Sequence, residues 1–474
     1  MTLSKEGLKS TIHQYIAITS VLIVLAMTML DGTVVNVALP ILAKEFNVSD
    51  SSAVWIVTVY QLIITCLILP LSSLGDIYSY RRNYIIGIAV FTIGSALCAL
   101  SWNFEMIIIS RTLQGIGAAE AMGVNVALVR LIYPPKYLGR GLAVNTMVIA
   151  IASAAGPSLA GAILSFASWN WLFLINVPFG ILAFFMAYKY LPPNPPKTHQ
   201  VKFDWLSGIA NVIVFGTIFY ALGNFSRSNE LLTNIILLVC GFVTGIFYIR
   251  HLRGHEDPML PLDLLHNKLY SLSIVTYTAS FIAQNIALIA LPFLFLNGFG
   301  FTELITGLLM TPWPLATMIV SPFVARFVEK HNPGATAAFG MLLYSVGLIL
   351  LMIEPIEGAV EWDIAWRMAL CGCGFGIFQT PNATVMISAT PVSRSGAAGG
   401  FQSTARLGGQ TLGASIVTLV FAWMSVPSDA GSLSNGAPGV HVSLLIALCL
   451  AIIAAIFSIS RFKAISKTNT HLAK

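Results

Sequence analysis

The chain has 474 residues, of which 57% are hydrophobic and only 9% charged, and its mean hydropathy is +0.83. Soluble domains carry roughly 25% charged residues, so this composition excludes a water-soluble fold and implies a polytopic membrane protein. The net charge of +6 then concerns which side of a membrane the basic residues occupy, and is no sign of nucleic-acid binding.

The polar start "MTLSKEGLKSTIHQ" leads into a long apolar run without a clear small-residue cleavage site. It reads as a retained first span rather than a signal peptide. Apolar runs of roughly 20 residues, the length that crosses a bilayer core, recur in order. They lie at 14–38, 51–71, 83–101, 104–126, 141–166, 171–191, 204–224, 231–251, 269–297, 303–326, 334–354, 364–388, 396–425 and 441–461. About fourteen spans put both termini on one side. The Pro-rich "LPPNPPKTHQVKFDW" stops the sixth span, and "RHLRGHEDPMLPLDLLHNK" follows the eighth. The expected organisation is a tail (1–13), a six-helix bundle (14–191), a linker (192–203) and two extra spans (204–251). A second linker (252–268), a second six-helix bundle (269–461) and a tail (462–474) follow.

With a cytoplasmic N-terminus, the inside segments receive most of the Lys and Arg, from Lys5 and Arg81 through Arg250 to Lys474, while the outside receives only Lys44 and Arg227. The positive-inside rule therefore puts both termini in the cytoplasm. All six cysteines fall in apolar segments, so no disulfide framework is implied, and "CGCG" at 371–374 reads as close helix packing rather than a metal site.

Acidic residues inside spans are costly, about 2.5–3.5 kcal/mol at the centre on insertion scales. Asp31, in "LDGTVVNVALP", is expected roughly 13 Å from the outer end of the first span. Arg111 in the fourth span lies at a similar depth, so the two form an ion pair if those helices touch. The pair either only fixes packing or lets Asp31 change protonation during a cycle, since burial and a nearby guanidinium push a carboxylate in opposite directions. Glu120, nine residues beyond Arg111, is a second embedded acid that could take a proton or a cation from inside. Glu105 and Glu303 sit near span ends and read as interfacial.

Three further stretches carry residues that helices should avoid. "AAGPSLAG" puts Gly156, Pro157 and Gly161 inside the fifth span, where a kink or very close packing must be required. "LGDIYSYRRN" sets Asp76, Arg81 and Arg82 in a tight turn that suits a charged latch, or a simple basic anchor. "RTLQGIGAA" joins Arg111 and Gln114 to small residues that admit a neighbouring helix. No HExxH, GxSxG or GxxxxGK[ST] motif is present, which removes the common hydrolase and nucleotide-pump readings.

Together these residues resemble the major facilitator superfamily, in particular its fourteen-span drug:proton antiporters. "LDGTVVNVALP", "RTLQGIGAA" and "GPSLAG" are similar to that branch's first-, fourth- and fifth-helix motifs. "SWNWLFLINVPFG", "DWLSG" and "SGAAGGFQSTARLGGQTLGAS", with Arg406, match further landmarks. The turn after the second span departs from the family pattern Gly-x-x-x-Asp-Arg-x-Gly-Arg-Lys/Arg at Ser72, Ile77, Ser79 and Tyr80, and Glu120 stands where an apolar residue is usual.

The resemblance implies an all-α major facilitator fold, with two six-helix bundles around a central cavity, two additional helices between them, and alternating access. It implies a non-enzymatic, proton-driven efflux of lipophilic, cationic drugs or biocides across a bacterial cytoplasmic membrane. No cofactor, metal or nucleic acid takes part, and a monomer is expected. Asp31, with Arg111 and Glu120, would couple protons. Tyr60, Gln61, Gln284, Trp313, Gln379, Asn382 and Arg406 would line the cavity. Export of an endogenous metabolite or siderophore is the alternative, and a non-transporting sensor or scaffold a distant one.

Overall fold

The computed structural model describes residues 5–133, 138–193, 203–224, 231–252, 262–328, 330–354, 360–390, 395–424 and 437–472. Every element among them is helical. The first bundle comprises α1 (Lys5–Glu45), α2 (Asp50–Ile77), α3 (Tyr80–Ala99), α4 (Phe104–Ile132), α5 (Leu138–Phe166), α6 (Asn170–Leu174) and α7 (Asn176–Tyr190). An inserted pair follows, α8 (Trp205–Asn224) and α9 (Leu231–Leu252). The second bundle holds α10 (Lys268–Phe293), α11 (Glu303–Met310), α12 (Pro312–Val328), α13 (Pro333–Met352), α14 (Glu361–Ser388), α15 (Ser395–Met424) and α16 (Ala437–Leu472).

Short polar residues set the helix starts. Ser49, Ser79 and Asn103 each accept a backbone N–H of the first turn of α2, α3 and α4, satisfying donors that a helix end leaves free. Among the described residues, thirteen helical stretches are long and apolar enough to cross a membrane. The 28-residue α14 packs on α12 and α13 and stands outside those thirteen.

Several expected spans come out differently in detail, among them the sixth, which divides at Ile175 into α6 and α7. The first helix runs well past 14–38 at both ends and continues through Pro40. The tenth span divides at Thr311 into α11 and α12, where Pro312 has no N–H to continue the ladder. The ninth ends in a π-turn, Leu294–Gly298, just past Pro292, the kind of local adjustment proline imposes.

One end of the molecule carries Arg81, Arg82, Arg130, Lys189, Arg250, Lys268 and Arg326, and is called the basic face. The two bundles pack together toward the other face. There a single apolar core takes in Val34–Leu42 of α1, Val54 and Val57 of α2 and Ala160 of α5, together with Ile286–Phe293 of α10, Leu309 and Phe421. Toward the basic face the core divides. One cluster (Ala17, Val24, Tyr84, Leu128, Ala187) belongs wholly to the first bundle, and another (Tyr270, Tyr277, Phe281, Phe375, Met386) wholly to the second. Such a division is what a cleft between the bundles, opening on the basic face, would leave.

The inserted pair sits on one side of the cleft. Asn211 of α8 donates to the Cys66 carbonyl of α2 at 2.7 Å, and Ser415 of α15 donates to the Phe219 carbonyl of α8 at 3.4 Å. Thus α8 touches both bundles. Outside it, α9 presents Leu232, Ile236, Val239, Phe242 and Val243 outward, as a lipid-facing helix should.

Candidate functional site

The densest polar cluster at membrane depth is centred on Asp31. Its Oδ2 accepts from Nη1 of Arg111 at 2.5 Å, and both side chains are fully buried. Its Oδ1 accepts from Gln114 Nε2 at 2.9 Å and from Asn176 Nδ2 at 3.3 Å. Gln114 also donates to Ser95 at 2.6 Å, and its Oε1 accepts from Arg111 Nη1 at 2.7 Å. Arg111 Nε donates to the Ile56 carbonyl at 3.0 Å. The Tyr60 ring stacks 4.1 Å from the guanidinium carbon, with Phe173 behind it at 5.6 Å. Five spans therefore converge on one ion pair. A buried pair is tolerable only when its remaining donors and acceptors find partners, and only Nη2 of Arg111 lacks one here.

Local sequence explains the convergence. Arg111 and Gln114 are three residues apart and share one face of α4, so both reach α1. Asn176 begins α7, just past the Ile175 junction with α6, and its side chain turns inward. Sequence reasoning quoted its "LINVPFG" stretch without singling out Asn176 or Ser95. An amide at a helix junction beside a buried carboxylate is the signal that would have pointed to the first.

Glu120 is not part of this cluster. Nine residues from Arg111 is half a revolution of a helix, and Glu120 lies beside Gly87 of α3 on the far face of α4. Its side chain is buried, with no hydrogen-bond or ion-pair partner among the described residues. The three expected coupling residues are thus two together and one apart.

The glycine–proline stretch of α5 lies at the contact between bundles. A Cβ on Gly307 of α11 would come within 2.4 Å of the Pro157 carbonyl and 2.8 Å of the Gly161 Cα, so here the backbones touch. Ser158 is hydrogen-bonded to Thr311 across the same contact. Gly156 faces α1, where a Cβ would meet the Thr33 hydroxyl at 2.0 Å. In the turn after α2, Arg81 donates to the Tyr188 carbonyl of α7, a tie inside the first bundle, while Arg82 is exposed. The side chain of Asp76 lies outside the described residues.

The expected cavity residues separate into three groups. Trp313 and Asn382 are buried inside the second bundle, Trp313 edge-on to Tyr344 and Asn382 donating to the Ser273 carbonyl. This corrects the expectation that they line the cavity: helical position put them at the right depth but on the inward face. Tyr60 belongs to the Arg111 cluster, and Gln61 accepts from Asn285 across the bundles at 3.3 Å. Gln284, Gln379 and Arg406 are half-buried.

The Major Facilitator Superfamily model matches this chain over residues 21–414, and again over 273–469. The chain belongs to the Major Facilitator Superfamily. Membership makes it a secondary transporter of small molecules rather than an enzyme. It is 43% identical to the uncharacterized transporter YebQ of Escherichia coli (strain K12) over 446 residues, 94% of this chain and 95% of YebQ. It is 29% identical to the multidrug resistance protein Stp of Mycobacterium tuberculosis over 85% of this chain and 75% of that one. It is 28% identical to the riboflavin transporter RibZ of Clostridioides difficile over 86% of this chain and 89% of that one. A bacterial homolog of the human lysosomal transporter Spinster, solved inward-facing and unoccupied, shares the fold with a TM-score of 0.66. Their identity is 15%, and the likeness covers 96% of this chain and 98% of that one.

Proposed function

We propose that this superfamily member is a proton-coupled exporter of the fourteen-span antiporter branch, and that its cargo is an endogenous polar metabolite rather than a lipophilic cation. The observation that carries this reading is where the charges stand. The Asp31 carboxylate is committed to Arg111 inside the first bundle, and Glu120 faces α3, so neither presents a negative charge to the cleft. Arg406, a half-buried cation on α15, is the charged group placed toward it. The relatives support transport of both kinds: Stp is named for multidrug resistance and RibZ for riboflavin.

With the basic face taken as cytoplasmic, the cleft opens inward to receive cargo. Closure of the basic face and parting of α5 from α11 would then expose it outside. Asp31 lies toward the sealed outer half, and in this role it takes a proton from outside only when that seal opens. Protonation removes the charge that Arg111 balances, loosens the five-helix cluster, and carries the proton inward as the bundles rock back. Low dielectric makes this exchange a two-state event, since a lone buried guanidinium or carboxylate is strongly disfavoured.

The test uses purified protein in liposomes with an imposed pH gradient and a pH-sensitive dye. Anionic, neutral and cationic compounds are added in turn to wild type and to Asp31→Asn. Proton movement with polar metabolites, absent in the variant, is the expected result. Dissipation by lipophilic cations alone would return the drug-efflux reading, and a fully active Asp31→Asn would make the carboxylate structural.

A further inference from the structure

The wall of the cleft formed by the second bundle carries a cation with no acid beside it. Arg406 lies eleven residues into α15, roughly 16 Å from its start at helical rise, which is the depth of the bilayer interior. On that helix Leu407 packs into an apolar cluster of the first bundle, and Thr411 is hydrogen-bonded to Thr65 of α2 at 3.0 Å. Gly409 and Gly413 lie against α10. Gly408 points toward Phe219 of α8. At 100° per residue, the direction left open between α2 and α10 is that of Arg406 and Gln410, away from α8. Both are half-buried, as groups lining a cleft should be.

No carboxylate among the described residues pairs with Arg406, whereas the fully buried Arg111 and the partly buried Arg367 each have one. An arginine at such depth is costly and marks a function unless it has a partner. Its neighbours are donors. Phe401 and Ala405, which flank Gln402 and Arg406 on α15, pack against the cluster that holds Tyr277 of α10, whose hydroxyl is held by Gln402 and Gln379.

We infer that Arg406, with Gln379 and Gln402, forms a subsite for the carboxylate group of the cargo. A carboxylate has two acceptor oxygens and no donor, and a planar guanidinium flanked by amide donors matches it. A single cation suits a single negative charge; a phosphate would call for more. The inference rests on the exporter reading above, and specifies its substrate class as monoanionic carboxylates.

The experiment uses the full chain in lipid nanodiscs, with an arginine-selective dicarbonyl reagent and mass spectrometry of the labelled sites. Benzoate is compared with benzamide, which has the same ring and no charge. Benzoate is expected to slow modification of Arg406 about fivefold relative to benzamide, while exposed Arg82 serves as an unchanged reference. Equal protection by the two compounds, or none, overturns the subsite. Thermal unfolding gives a second readout: benzoate stabilises wild type more than benzamide does, and Arg406→Gln loses that difference while Arg406→Lys keeps part of it. The two proposals fail separately. Proton-coupled transport without selective protection removes the subsite and leaves the exporter, whereas protection without any Asp31-dependent proton movement removes the exporter and leaves the subsite.

Discussion

Replacing Gly307 with alanine should wedge the outer contact between the bundles. A Cβ there would sit 2.4 Å from the Pro157 carbonyl oxygen and 2.8 Å from the Gly161 Cα. Ordinary contacts of this kind are about 3.5 Å, so α5 and α11 must separate by roughly 1 Å. Overpacking by one methyl costs about 1–3 kcal/mol, and it falls only on the conformation in which these helices touch. A bias of that size changes a two-state ratio about 5–150-fold. Spin labels at Trp102 and Trp362, both strongly exposed near the same face on different bundles, would report the change as a longer-distance population. Gly32→Ala is the control, because a Cβ there meets open space although it adjoins Asp31. If Gly307→Ala leaves the distance distribution as in Gly32→Ala, the glycine contact is not what seals this face, and the reasoning fails.

Removing the Asp31 charge strands Arg111, whose burial is complete. Asp31→Asn should therefore destabilise by about 3–5 kcal/mol in thermal unfolding, and the double variant with Arg111→Gln should recover part of that loss. Glu120→Gln should keep gradient-driven transport within about twofold of wild type, since a neutral isostere suits a buried side chain with no partner; abolished transport would return Glu120 to the coupling path. Export of a monoanion against one proton moves two charges, worth twice about 2.3 kcal/mol, or about 4.6, per 100 mV. An imposed potential should then accelerate transport, whereas exchange of a monocation for one proton would ignore it. At the basic face, burial opposes the charged form of Asp204, but the Ser207 hydroxyl and N–H and the ring of His251 outweigh it and hold its carboxyl below the usual range. A lowered folded value stabilises at pH above the unfolded value of roughly 4 and is lost as pH falls through the folded one. Thermal stability of wild type relative to Asp204→Asn should accordingly shrink on acidification below about pH 4.

Much of the architecture was legible because a bilayer imposes simple rules on a sequence. Span length follows from bilayer thickness, and the placement of Lys and Arg supplied an expectation for the side holding the termini. The ion pair was legible too: Asp31 and Arg111 are each too costly to bury alone, and their depths agree. Composition and periodicity do not encode which neighbours a helix meets around its circumference. That is why Asn176 and Ser95 were overlooked and why Trp313 and Asn382 were expected in the cavity. Glu120 shows the limit most directly, because depth along α4 grouped it with Arg111 and only the helical phase put it on the opposite face.

By itself, then, the sequence determined the solvent, the approximate number of spans, and the few charges that had to find partners, since each follows from one-dimensional spacing. The tertiary structure decided that Asp31 and Arg111 are consumed by pairing, while Arg406 has no carboxylate partner among the described residues. It also decided that α5 and α11 meet glycine to glycine and that α8 touches both bundles. These depend on how helices are rotated and packed against one another, and packing is set by shape complementarity over residues hundreds of positions apart.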